Sequence, residues 1–162
     1  MLFLAILGDV VRRFNWQCQA YCLLTNHYHV AVQTPDANIG DGMHRLNGLY
    51  AQAFNRRHGF KGHLFEERYW SRLVETEEHQ VSLMRYVVLN PVRARMCALP
   101  HQWLWSSYRA TVGIDPQPRH LDLGWMHSWA GQGSGPAMFR SFVLEGLEAG
   151  AAPPPHGPVT AV

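Results

Sequence analysis

The chain has 162 residues, is 47% hydrophobic and carries a formal net charge of +2, which suits a folded domain with an appendage rather than a disordered polyelectrolyte. No apolar run approaches the length of about 20 residues that a membrane span needs, so no membrane partner is expected. The opening MLFLAIL has no basic lead-in and meets Gly8-Asp9 without a small-residue cleavage pattern, so it reads as helix rather than signal peptide.

Three cysteines, Cys18, Cys22 and Cys97, are an odd number and make no disulfide framework. A reducing, cytoplasmic setting is expected. Apolar residues at Leu2, Leu4, Ile6, Leu7, Val10, Val11 and Phe14 predict a helix over residues 1–15 with one buried face, weakened at Gly8. Residues 17–24 and 27–33 read as an antiparallel strand pair around a Thr25-Asn26 turn. Thr34-Pro35-Asp36 closes the second strand, because proline cannot continue a ladder.

Residues 38–57 place Ile39, Met43, Leu46, Leu49, Tyr50, Ala53 and Phe54 on one side of a second helix. Arg56, Arg57 and His58 followed by Gly59 form an ordinary helix stop, and the same arginines are candidates for phosphate contact. Residues 60–74, FKGHLFEERYWSRLV, interleave aromatics with Lys61, Arg68 and Arg72, and 69–74 read as a strand. Single-stranded nucleic acid grooves use that mixture. The plainer reading buries Phe65, Trp70 and Leu73 in a core.

Thr76 is a good N-cap, with Glu77 and Glu78 in the first turn of a helix expected to run to about Asn90, before Pro91. Residues 92–97 add a further turn or two, 99–105 form a tryptophan-rich connection, and Ser106 or Ser107 caps a short helix through Ala110. After Gly113 the composition shifts. A short helix is expected around 123–130, an amphipathic one over 136–147, and a disordered Gly/Ala/Pro-rich tail over 149–162. The expected divisions are therefore 1–113, 114–148 and 149–162.

Two constellations carry chemistry. Strand side chains alternate, so His27 and His29 project side by side while Tyr28 turns away. Two such imidazoles can share a metal, or can simply be strand histidines. Tyr86 and Asn90 lie one helical turn apart on one face. Their plainer reading is a core aromatic and a C-cap before proline. A phenol with a pKa near 10 attacks phosphorus only with help, such as a metal that polarises the phosphodiester. The exchange keeps the ester bond energy, which agrees with the absence of a GxxxxGK[ST] loop. An Asn90 carbonyl, phosphate oxygens and water would complete an octahedron suited to Mg²⁺ or Mn²⁺.

Charge is uneven. Residues 45–109 hold ten Lys/Arg against five Glu, a local +5, while residues from 110 onward hold two Arg against four acids. Thirteen of the fourteen cations are arginine, the side chain that grips phosphate bidentately. Arg56, Arg57, Lys61, Arg68, Arg72 and Arg93 are the candidates for contact with a nucleic-acid polyanion, and the plainer reading is a solvated basic face.

The runs TNHYHV, RLNGLYAQAFNRRHG, GHLFEER, RYVVLNPVRA and WSSYRA, in this order and spacing, resemble the HUH single-tyrosine transposases, in the branch of REP-associated tyrosine transposases. The similarity covers the chain to about Gly113 and, more loosely, to Glu148. It implies an α+β, ferredoxin-like fold in which an antiparallel sheet is flanked by helices, followed by a helical C-terminal appendage. It also implies cleavage and rejoining of single-stranded DNA, often beside small hairpins. By resemblance His27 and His29 match the metal-binding pair, Tyr86 the nucleophile, and Asn90 the polar residue that joins the metal.

Two departures stand out. Relatives carry a strand and the start of a helix ahead of this chain's Met1, so the first strand is expected to be missing. The His27 strand would then lack a neighbour, which invites homodimerisation. Glu66-Glu67 also places two acids before Arg68. Two other readings remain: a DNA-binding remnant without cleavage, and a structural zinc module of Cys18, Cys22, His27 and His29.

Overall fold

The computed structural model describes residues 2–66, 68–131, 133–148 and 160–161. A central sheet separates two layers of helix. Helices α1 (Leu2–Arg13) and α2 (Ile39–His58) cover one face of the hairpin β1 (Gln17–Leu23) and β2 (Tyr28–Gln33). Their shared core holds Phe3, Leu7, Val10, Tyr21, Val30, Val32, Met43 and Leu46. Helix α3 (Glu77–Arg93) covers the other face. There Ala20, Cys22 and Ala31 meet Met84, Val87 and Val88. The α+β architecture is the expected one.

Local chemistry sets these elements. Asn15, at φ 55°, turns α1 into β1, a conformation that asparagine tolerates better than most residues. Gly59 ends α2 in the left-handed region, and its N–H bonds to Asn55 O. Thr76 caps α3 by accepting from the His79 N–H at 3.2 Å. Gly42 is required for packing, since a Cβ there would lie 2.0 Å from the Trp16 ring.

The hairpin is antiparallel, with Cys22 opposite His29 and Leu23 opposite Tyr28. Its register slips between Cys18 and Ala20. That bulge puts Cys18 in the α1/α2 core, whereas Cys22 lies in the α3 core. Regular alternation would have placed both on one face.

Three expectations need correction. The helix expected to stop at Asn90 runs through Pro91 to Arg93. Proline removes the N–H that would bond Val87 O, and Asn90 Nδ2 reaches that oxygen at 3.5 Å while also donating to Tyr86 O at 2.9 Å. The strand expected over 69–74 shrinks to β3 (Ser71–Arg72), and Trp70 and Leu73 are 41% and 64% exposed rather than core. The outer edge of β2 is also not bare. Strand β4 (Thr160–Ala161) pairs parallel with β2 and with β3, giving the order β1-β2-β4-β3. The rest of the expected disordered tail lies outside the described residues.

The other edge of β1 is tied by residues 105–107. Leu23 N–H donates to Trp105 O at 2.8 Å, and Ser107 N–H to Tyr21 O at 2.9 Å. Helix α4 (Tyr108–Thr111) follows. Helices α5 (Trp125–Ala130) and α6 (Gly135–Glu148) then bring Trp125, Phe139 and Val143 into the α3 core. No helix among the described residues is long and apolar enough to cross a membrane.

Candidate active site

At the end of the hairpin next to the Thr25-Asn26 turn, the His27 and His29 ring centroids lie 5.0 Å apart. His29 is buried, and its ring lies edge-on to Tyr86 of α3 at 5.6 Å. The Arg93 guanidinium, one further turn beyond Asn90, sits 5.1 Å above the Tyr86 ring. Burial pulls the Arg93 pKa below its ordinary value, and the neighbouring Tyr86 works against that shift. Two histidines, a phenol and a guanidinium therefore share one corner between β2 and α3.

Tyr28 goes the other way. Its ring packs 4.6 Å from Phe3, and its hydroxyl donates to Asn47 Oδ1. Burial pushes its pKa above the usual phenol value.

His27 Nδ1 lies 2.8 Å from Asn26 Oδ1. A carbonyl oxygen only accepts, so Nδ1 carries the proton and Nε2 keeps its lone pair. Partial burial lowers the His27 pKa from its ordinary 6.5, favouring the neutral ring that a metal requires.

Asn90 spends its amide N–H on its own helix, which leaves its carbonyl oxygen as the group with ligand chemistry. Among the described residues no three His, Cys, Asp or Glu cluster to hold a metal. Two imidazoles and an amide oxygen suit an ion that completes its shell with water and substrate oxygens, and they fall short of the four protein ligands of structural zinc. The thiols are unsuitable too. Burial pushes Cys18 and Cys22 up to about 12, and they lie in different cores.

The candidate cations do not converge on one spot. Arg57 lines a cleft with His27. Arg68 lines a second groove between α2 and residues 62–71, where Glu66 is also present. Lys61 and Arg56 are exposed near the end of α2, and Arg72 lies in β3. Sequence reasoning missed Trp103 and Trp105, which line the cleft beside His27. The tryptophan-rich run was visible, but its pairing with β1 is long-range.

The chain belongs to a family of transposases: the family model described as "Transposase IS200 like" matches residues 2–90. It is also similar, at 21% identity over 116 residues, to a Haemophilus influenzae protein named provisionally as a REP-associated tyrosine transposase. That match covers 65% of this chain and 66% of the relative's length. No solved structure matches.

Proposed function

We propose that the chain cleaves and rejoins single-stranded DNA, including strands beside small hairpins, through a covalent link to Tyr86. The observation that supports this most directly is the approach of His27, just before β2, and His29, within it, to Tyr86 and Arg93 from α3.

The Tyr86 phenol oxygen attacks phosphorus, and a phosphotyrosine ester forms as one P–O bond of the strand breaks. The phenol proton is lost to solvent, and the departing oxygen gains one as a free hydroxyl. A hydroxyl-ended strand reverses the step, so no nucleotide triphosphate is consumed. Arg93, over the ring, would hold the charge that grows on the phosphate. His27 and His29, with the Asn90 carbonyl oxygen, are the residues that would hold Mg²⁺ or Mn²⁺. Such an ion supplies Lewis-acid polarisation of the phosphate, worth several kcal/mol. Arg56, Arg57, Lys61, Arg68 and Arg72 would track the DNA backbone outside this corner.

The test is incubation of the chain with single-stranded DNA and Mn²⁺, with the adduct mapped by mass spectrometry. An adduct on Tyr86, absent in Tyr86→Phe and in His27→Ala, is expected. Linkage at another tyrosine refutes the assignment. Salt-sensitive DNA binding with no adduct would instead identify a DNA-binding remnant.

A further inference from the structure

A cleft of about 740 Å³ opens beside His27, between the Thr25-Asn26 turn, the second half of α2 and residues 103–105. Sites for small ligands run from roughly 300 to 1,000 Å³. Tyr50, Phe54, Phe65, Trp103 and Trp105 line this one together with Arg57, and no Asp or Glu among the described residues does. The neighbouring groove, which shares Phe65 as a wall, does include a carboxylate, Glu66.

The rings are held, yet not consumed by the core. Trp103 donates its indole N–H to Leu23 O at 2.9 Å. Trp105 is pinned through its carbonyl to Leu23, while its residue surface stays 40% exposed. A large apolar ring left in water on a fixed backbone gains little for folding. It does present a ready face for another flat group.

We propose that this cleft seats unstacked bases of single-stranded DNA, with Arg57 on the adjoining phosphate, and so leads the strand to the His27–His29 corner. The ligand's identity as DNA rests on the strand-transfer reading above. Aromatic faces stack any base, while an arginine at the mouth of an aromatic cleft suits the adjoining phosphate. Duplex DNA hides its base faces and would not satisfy these rings.

The test compares an oligodeoxythymidylate with an abasic deoxyribose-phosphate oligomer of equal length, each titrated with the full chain without divalent metal. Wild type should prefer the base-bearing strand. Trp105→Ala should lose roughly tenfold on that strand and little on the abasic one, since stacking contributes about 1–3 kcal/mol per base. Trp105→Phe should restore the preference, and Arg57→Ala should weaken both strands alike. No preference in wild type, or equal loss on both strands in Trp105→Ala, overturns the proposal.

If Trp105→Ala fails to fold, photocrosslinking of wild type to a 5-iododeoxyuridine strand decides. Crosslinks at Trp105, Phe54 or Tyr50 support the cleft, and crosslinks confined elsewhere refute it. Base preference without any adduct would keep the cleft and discard strand transfer. An adduct without base preference does the reverse.

Discussion

The Nδ1 of His27 stands 2.8 Å from the Oδ1 of its chain neighbour Asn26. This contact fixes the imidazole tautomer and leaves the lone pair on the other ring nitrogen. Outer groups of this kind typically change metal affinity by about 10–100-fold. Asn26→Ala should therefore weaken Mn²⁺ binding by about tenfold, while Thr25→Ala on the same turn should change it little. Calorimetric titration of both variants checks this, and equal affinities would refute the role given to Asn26.

Gly42 faces the buried Trp16, whose Cζ2 would lie 2.0 Å from an added Cβ. The indole cannot easily retreat, because its Nε1 donates to Asn38 Oδ1 at 2.8 Å. Gly42→Ala should destabilise the fold by about 1–3 kcal/mol through overpacking, despite alanine's better helix propensity. Gly48 has nothing within 4 Å of the same added atom. Gly48→Ala should be neutral or stabilising in urea denaturation.

His120 sets an acid limit. Its Nε2 is buried without a hydrogen-bond partner among the described residues, and burial lowers its pKa from the ordinary 6.5. The unfolded chain therefore takes up this proton at a higher pH than the folded one. Stability should be level above about pH 6.5 and should fall as pH drops from there through the folded-state value. His27, also lowered by burial, adds in the same direction. His120→Gln should flatten part of the fall that sets in below about pH 6.5 in thermal melts. An unchanged slope would remove His120 as a cause.

Salt should control DNA affinity. Arg57 and Arg68 line different grooves. Each substitution to alanine should weaken binding to unrelated single strands about equally, and should lower the slope of log affinity against log salt by somewhat under one unit, roughly 0.7. A wild-type affinity that is flat between low and high salt would contradict a polyanion groove.

What the residues disclosed in advance is what depends on short-range spacing. The alternation that separates Tyr28 from His27 and His29 is a property of one strand. The cap at Thr76 and the stop at Gly59 are properties of single turns. The reading failed where a distant partner decides. Pro91 stays inside α3 because Asn90 answers for a lost N–H, and the helix packs on both sides of it. Residues 69–74 alternate like a strand, but only Ser71 and Arg72 find a ladder, and that ladder is made by residues 160–161. The bulge at Cys18 likewise depends on the register with Val32 and Ala31.

The placement of β4 bears on the order of folding. The hairpin β1–β2 joins neighbours in sequence and can form early, as can the helices packed on it. The ladder from Val30 to Thr160 joins residues from nearly opposite ends of the sequence, and contacts so distant form slowly. Until that ladder forms, β2 shows a free row of backbone donors and acceptors beside the histidine corner. In a crowded or concentrated solution the corresponding segment of a second copy could arrive first. The same pairing would then link two chains, and refolding that slows and yields dimer as concentration rises would be its signature.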